Sequence, residues 1–282
     1  MAYEISLLTI VSISCIWALS LNLITGFCGQ ISLGHAAFYG IGAYTAALLT
    51  KGGIPFGTAL IAGACLAGLV GMIVGLASLR VRHDFLAITT MGVGFLFLGI
   101  VRKLDALGGE LGISGIPDPG LGKLGFMLLC LACAAATTLF SLYVKRSWMG
   151  FAFDAIADDE DTARMLGVDV ARYKLTAFAM GTALAGFAGG LYAHFVRFID
   201  PESFGFVESI AVLSMVVVGG IGSTWGVLFA AALMTLLPRL FDFIDNYKLL
   251  IYGALLFAVM RFSPEGAAGL VDRLLRRKEV PS

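Results

Sequence analysis

The sequence predicts an all-α, polytopic membrane protein built as a single transmembrane domain over residues 1–282. Composition, uncharged runs and their continuity carry that reading. Of 282 residues, 59% are hydrophobic and 13% are charged, against about 25% charged in soluble domains. Mean hydropathy is +0.93. Residues 5–50, 56–79, 124–144 and 175–193 contain no Asp, Glu, Lys or Arg. A helical crossing needs roughly 20 apolar residues, so each run is long enough. The runs are continuous rather than alternating with a period of two, which argues against a β-barrel.

About nine crossings are expected, with eight to ten compatible with the pattern, near 5–25, 31–50, 56–79, 85–101, 124–144, 173–196, 207–222, 226–241 and 247–262. The first follows Met1-Ala-Tyr-Glu, which lacks the basic start of a cleaved signal. The second is read as broken, because Gly26-Phe-Cys-Gly-Gln30-Ile-Ser-Leu-Gly34-His35 interrupts the apolar run with polar residues and glycines. Gly63, Ala67, Gly71 and Gly75 form a small-residue ridge on the third, and Gly181, Ala185, Gly186 and Gly190 do the same on the sixth. Such ridges let helix backbones approach closely. The fourth carries Thr89 and Thr90. Cys130-x-x-Cys133 lies inside the fifth and reads as small buried hydrophobes. All five Cys are in or beside apolar runs, so neither a disulfide nor a metal site is expected. Glu208 starts the seventh crossing. The Gly-rich joint 219–226 before the eighth reads as a tight cytoplasmic turn. The ninth is short, with Lys248 and Arg261 placed to snorkel to the two interfaces.

With segment 145–174 in the cytoplasm, nine crossings put the N-terminus outside and the C-terminus inside. The cytoplasmic side then collects 12 basic residues, including Arg80, Arg82, Arg273, Arg276, Arg277 and Lys278, and the outside collects 7. Formal net charge is zero, so nothing points to nucleic acid. His35, His83 and His194 show no metal-ligand spacing. Gly220-x-Gly222 follows no strand and precedes no Lys, and no Walker lysine occurs anywhere, so any ATP used must be bound by another polypeptide.

Two groups of candidate functional residues emerge. Gln30, Ser32 and His35 of the broken segment, with Thr89 and Thr90, are expected to line a translocation pathway, because polar groups at membrane depth need water or each other. The second group lies in 145–174, which holds 11 of the 38 Asp, Glu, Lys and Arg residues. Residues 151–166 read as one short amphipathic helix with Phe151, Ile156, Ala163 and Leu166 at roughly helical spacing and Met165 beside them. Asp154, Asp158, Asp159, Glu160 and Asp161 fall in its first half, near the positive end of the helix dipole. Gly167 stands where the helix stops. Two readings fit: a helix lying on lipid headgroups, or one docked on a soluble partner. Acidity favours the partner, since anionic lipid repels it. Four adjacent acidic residues, 158–161, would suit a basic groove.

The stretches GFCGQISLGHAAFYGIGAY (26–44), SLRVRHDFLAITTMGVG (78–94), GISGIP (112–117), the segment 150–174 running into GVDVARYKLTAFAMGTALAGFAGGLYA (167–193), VVVGGIGSTWG (216–226) and LLIYGALLFAVMRFSPEGAAGL (249–270) resemble the inner-membrane permease subunits of bacterial ABC importers for branched-chain amino acids, in the LivM-like branch. The resemblance covers most of the chain in the family's order. It implies a multi-pass inner-membrane permease without its own ATPase site, paired with a second related permease. Two ABC ATPase subunits that bind ATP and magnesium, and a soluble substrate-binding protein, would complete the complex. It also implies that Glu160, Ala163 and Gly167 form the E-x-x-A-x-x-x-G core of a coupling helix docked into the ATPase, with Phe151, Asp158, Asp159, Met165 and Leu166 as further contacts. Relatives tend to carry Arg in the first half of that helix, whereas GFAFDAIADDED contains no base. Many relatives also have an additional N-terminal crossing. The competing reading is a self-contained secondary transporter or channel for small polar solutes. It would need intramembrane carboxylates or lysines for ion coupling, and Glu208 is the sole candidate.

Overall fold

The computed structural model describes residues 2–78, 83–240, 248–262 and 266. The helices are α1 (Ala2–Leu21), continued by a π-helical turn (Asn22–Phe27), α2 (His35–Lys51), α3 (Phe56–Ser78), α4 (His83–Lys103), α5 (Gly122–Arg146), α6 (Trp148–Asp158), α7 (Glu160–Met165), α8 (Val170–Val196), α9 (Phe206–Gly219), α10 (Thr224–Leu240) and α11 (Lys248–Phe262). Among the described residues the only strands are β1 (Ile113–Ser114) and β2 (Phe198–Ile199), an antiparallel pair with Ile113 opposite Ile199. The Lys51 ammonium donates to the Ser114 carbonyl at 3.0 Å and ties α2 to this pair. The protein is therefore all-α in architecture.

Each expected crossing corresponds to a helix. Among the described residues, six spans are long and apolar enough to cross a membrane: Tyr3–Phe27, Phe56–Ala77, Leu86–Lys103, Gly122–Arg146, Val170–Val196 and Pro201–Gly219. Thr224–Arg239 and Leu250–Val259 are apolar but shorter. With 17 residues, α2 reaches about 26 Å, less than a typical hydrocarbon core of about 30 Å. The break expected in the second crossing lies ahead of it. The first helix loosens into a π turn, residues 28–34 are non-helical, and α2 then runs without interruption. Arg80, Arg82, Arg273, Arg276, Arg277 and Lys278, which weighed in the orientation, lie outside the described residues, as do the side chains of His83 and Lys248.

The core is organised by close approach. α1 is buried on nearly all sides, while α4 and α5 keep most of their surface at the periphery. α8 packs against α2 and α3 across small residues. A Cβ on Gly63 would come within 2.8 Å of the Gly42 carbonyl, and one on Gly71 would overlap the Thr182 side chain. Lipid is as apolar as leucine, so this contact is held by van der Waals packing at short range. Around it sit the aromatic contacts Trp17–Tyr39 at 4.5 Å and Phe38–Phe178 at 5.7 Å. Of the cysteines, Cys15, Cys28 and Cys130 are buried and Cys65 faces outward from α3.

Gly71→Leu must push α3 off α8. It is expected to cost about 1–3 kcal/mol, seen as a lower melting temperature in detergent. Gly92→Ala, where a Cβ meets open space, should melt like the parent.

Candidate functional site

Three segments far apart in sequence meet at one end of the bundle. They are the π turn with the stretch that follows it, the charged segment 145–174, and the Gly-rich joint 219–226. A second apolar cluster joins Leu23, Phe27 and Cys28 to Val144, Phe153, Ile156, Ala163, Val170 and Ala177. The Lys145 ammonium donates to the Gly222 carbonyl at 2.6 Å and lies 5.7 Å from the Phe27 ring centroid. The Gly222 N–H donates to Asn22 Oδ1 at 3.1 Å. Gly29 adopts a positive φ of 70°, and a Cβ there would meet the Ala157 backbone at 3.1 Å. The turn thus lies directly on α6.

The polar residues of the break are held inside the protein. Gln30 Nε2 donates to the Lys174 carbonyl at 3.1 Å, and the Gln30 carbonyl accepts from Thr25 Oγ1 at 2.9 Å. The Leu33 N–H donates to Thr90 Oγ1 at 3.0 Å, and the Ala36 N–H to Ser209 Oγ at 3.1 Å. His35 Nε2 lies 2.8 Å from Ser20 Oγ, whose single hydrogen is directed to the Trp17 carbonyl at 2.6 Å. His35 Nε2 is then the donor. His35 Nδ1 and Ser32 Oγ are buried with no partner among the described residues.

The expectation that Gln30, Ser32, His35, Thr89 and Thr90 line a cavity is not met within this chain. Gln30, Ser32, His35 and Thr90 are at most 1% exposed; Thr90 serves the unwound backbone, Gln30 reaches α8 and His35 reaches Ser20 of α1, while Thr89 is half-buried on α4. A cavity of about 810 Å³ lies elsewhere, among α1, α9, α10 and α11, and none of the five borders it.

The charged segment also departs from its expected form. It is two helices, not one over 151–166. Asp159 is extended (φ −159°, ψ 114°) and caps α7, its carboxylate accepting the Thr162 N–H at 2.8 Å. That N–H holds the Asp159 carboxyl below its ordinary range. The break rotates the expected apolar stripe apart. Ile156 and Ala163 turn inward at 1% exposure each, while Phe151 (64%), Met165 (86%) and Leu166 (77%) face outward. Trp148 joins them at 79%. Sequence reasoning passed it over, although a Trp inside a charged segment was visible. Gly167 has φ 85°, the left-handed end its position suggested.

The acidic run is largely answered from within. Glu160 forms an ion pair with Lys174, and Asp161 with Arg164 at 3.0 Å. Asp159 is spent on its cap, and Asp158 is exposed. Four unpaired charges awaiting a basic groove are therefore not what this segment presents. It presents an apolar rim of Trp148, Phe151, Met165 and Leu166 over an internally paired acidic base.

The family model described as "Branched-chain amino acid transport system / permease component" matches residues 4–260. The chain belongs to this permease family. It is 34% identical to the high-affinity branched-chain amino acid transport system permease protein LivM of Escherichia coli K12, over 97% of this chain and 72% of that protein. It is 26% identical to LivH of the same strain, over 89% of this chain and 90% of that one. The probable LivM of Methanocaldococcus jannaschii is 26% identical over 73% of this chain and 67% of that protein. No solved structure matches the chain. In this permease the residues matching the E-x-x-A-x-x-x-G core divide their tasks. Glu160 is ion-paired, Ala163 is packed inside, and Gly167 turns the chain.

Because the folded carboxyl titrates below its ordinary range, the cap stabilises α7 above that range and is lost as pH falls through the folded value. Protection of the Thr162 and Ala163 amides, corrected for intrinsic exchange, should fall over that window in the parent. Asp159→Asn should keep protection through it, because Asn caps without titrating. Asp159→Ala should lack it at every pH.

Proposed function

We propose that this chain is a membrane-spanning permease subunit of an ATP-driven importer, carrying branched-chain or related amino acids, or small amides, into the cytoplasm. The six long spans together with α2, α10 and α11 make nine crossings of the bacterial inner membrane, with segment 145–174 and the C-terminus in the cytoplasm. A soluble binding protein delivers substrate outside. A second related permease completes the membrane portion; E. coli LivM and LivH, both similar to this chain, illustrate two permease proteins named for one system. Two ATPase subunits bind ATP and magnesium, and this chain binds no cofactor and catalyses nothing itself.

The observation that carries the reading is the exposed apolar rim. Met165 and Leu166, at 86% and 77% exposure, stand on a charged segment whose acidic residues are mostly paired within the chain. Buried apolar anchors dominate the energy of an interface, while rim charges govern association rate and salt response. Phe151, Met165, Leu166 and Trp148 are the anchors for the ATPase. Asp158 is a rim charge, and Glu160, Ala163 and Gly167 hold the segment in shape. Nucleotide then shifts the permease between inward- and outward-facing states, because the ATPase binds the two positions of this segment with different affinity. Gln30 is the link inward, since its side chain joins the start of α8 to the unwound stretch.

Leu166→Asp is expected to abolish ATP-driven uptake in vesicles reconstituted with the partner subunits, while the subunit still enters the membrane. Asp158→Asn should only weaken complex recovery at low salt. Normal assembly and uptake by Leu166→Asp would leave the segment as a headgroup helix.

A further inference from the structure

The cavity of about 810 Å³ falls within the range of small-molecule sites, about 300–1,000 Å³. It starts at the end of the bundle away from the charged segment. Tyr3 borders it at the head of α1, whereas Leu23 and Phe27, at the other end of the same span, pack on the coupling segment. It reaches Trp17, about 21 Å further along the helix at 1.5 Å per residue. It therefore runs from one face of the bundle to beyond the middle of α1.

Its walls are mixed in a particular way. Trp17, stacked on Tyr39, and Met215 give it an apolar interior, each no more than 6% exposed. Glu208 and Arg239 bring a carboxylate and a guanidinium to the same cavity, and Thr235 brings a hydroxyl. Two of these polar groups stand out. Trp17 Nε1 and Thr235 Oγ1 are buried without a partner among the described residues. A lipid chain or another wholly apolar occupant would leave both unsatisfied, which is costly. An occupant with its own acceptors and donors would not.

We propose that this cavity is a binding site for the transported solute within the single permease chain, taking a zwitterion with an aliphatic side chain. Arg239 draws the carboxylate, and Glu208 draws the ammonium. The aliphatic part rests on Met215 and the Trp17–Tyr39 stack, with the Trp17 N–H and Thr235 hydroxyl as polar contacts. The inference rests on the permease reading above and adds to it a location and a recognition chemistry.

Trp17 is also a reporter. The other two tryptophans, Trp148 and Trp225, are 79% and 68% exposed. Trp148→Phe/Trp225→Phe leaves Trp17 as the sole indole in the full chain, purified in detergent. L-leucine should move its emission saturably. 4-Methylpentanoate, which lacks the ammonium, and isoamylamine, which lacks the carboxylate, should each bind at least about tenfold more weakly, the loss expected when a charged hydrogen-bonding group is removed. Arg239→Gln and Glu208→Gln, added singly, should each weaken leucine by a similar factor. The proposal is overturned if leucine leaves Trp17 unmoved, if the three probes bind alike, or if both variants bind leucine as the parent does. The probe comparison needs no further variant, so a misfolded Arg239→Gln would not remove the test. Leucine uptake by the complex reconstituted with the unsubstituted chain, Trp148 in place, separates the two readings. Normal uptake with a silent Trp17 sinks the site and spares the importer. A leucine-responsive Trp17 without ATP-driven uptake keeps the site and sinks the importer.

Discussion

The constraint on which this structure depends is the unwound backbone between Phe27 and His35. Peptide groups outside a helix cannot be left bare at membrane depth. The chain answers with partners from several elements. The Gln30 N–H reaches the Ile24 carbonyl at 3.1 Å, Thr25 covers the Gln30 carbonyl, Thr90 of α4 takes the Leu33 N–H, and Ser209 of α9 takes the Ala36 N–H. Those hydroxyls fix where α4 and α9 stand relative to the break. The packing of α2 on α3 and α8 then holds the downstream side of the break at backbone distance.

The charged segment is built on the same break. Ile156 and Ala163 sit in one apolar cluster with Phe27 and Cys28, and Gln30 reaches back to Lys174. Its charged groups cap α7 through Asp159 and α8 through Asp169, pair Asp161 with Arg164 within a turn, pair Glu160 with Lys174, and reach the Gly222 carbonyl through Lys145. The exposed Asp161–Arg164 pair contributes little to stability, about 0–1 kcal/mol. The effect of these contacts is on shape, because they hold α7 at an angle that aims Met165 and Leu166 outward.

Much of this was legible in the sequence, and the rest had identifiable obstacles. Uncharged runs located every described long helix, because charge is so costly in hydrocarbon. Gly167 was legible as a helix end, and Gly63 and Gly71 as a packing ridge, because only glycine suits such positions. The split of 151–166 was missed because Asp159 is one acid in a row of acids, and nothing in its identity marks it as a cap. Periodicity therefore joined Phe151, Ile156, Ala163 and Leu166 into one stripe that the break divides. The polar residues of 30–35 and Thr90 read as facing water, yet all four are buried, and backbone groups take the Gln30 and Thr90 side chains. Sequence shows how many polar groups a buried segment holds, but not which of them its own peptide bonds will occupy. Trp17 and Arg239 gave no signal, since an aromatic in one helix and a base at the end of another become neighbours only in the folded bundle.

Gly222 closes the structure in another sense. Its carbonyl is held by Lys145 and its N–H by Asn22, so the two peptide planes that meet at this residue are each held, one by the end of α5 and the other by the π turn. With both neighbouring planes held, Gly222 has little freedom to swivel, and the joint has little slack. A displacement of the end of α5 or of the π turn is then met at the start of α10, on the far side of that joint, rather than being taken up as play in a loop. α10 carries Thr235 and Arg239 in the wall of the deep cavity. The two ends of the molecule share one stiff linkage, and its compliance sets how faithfully a push at one end becomes a change of shape at the other.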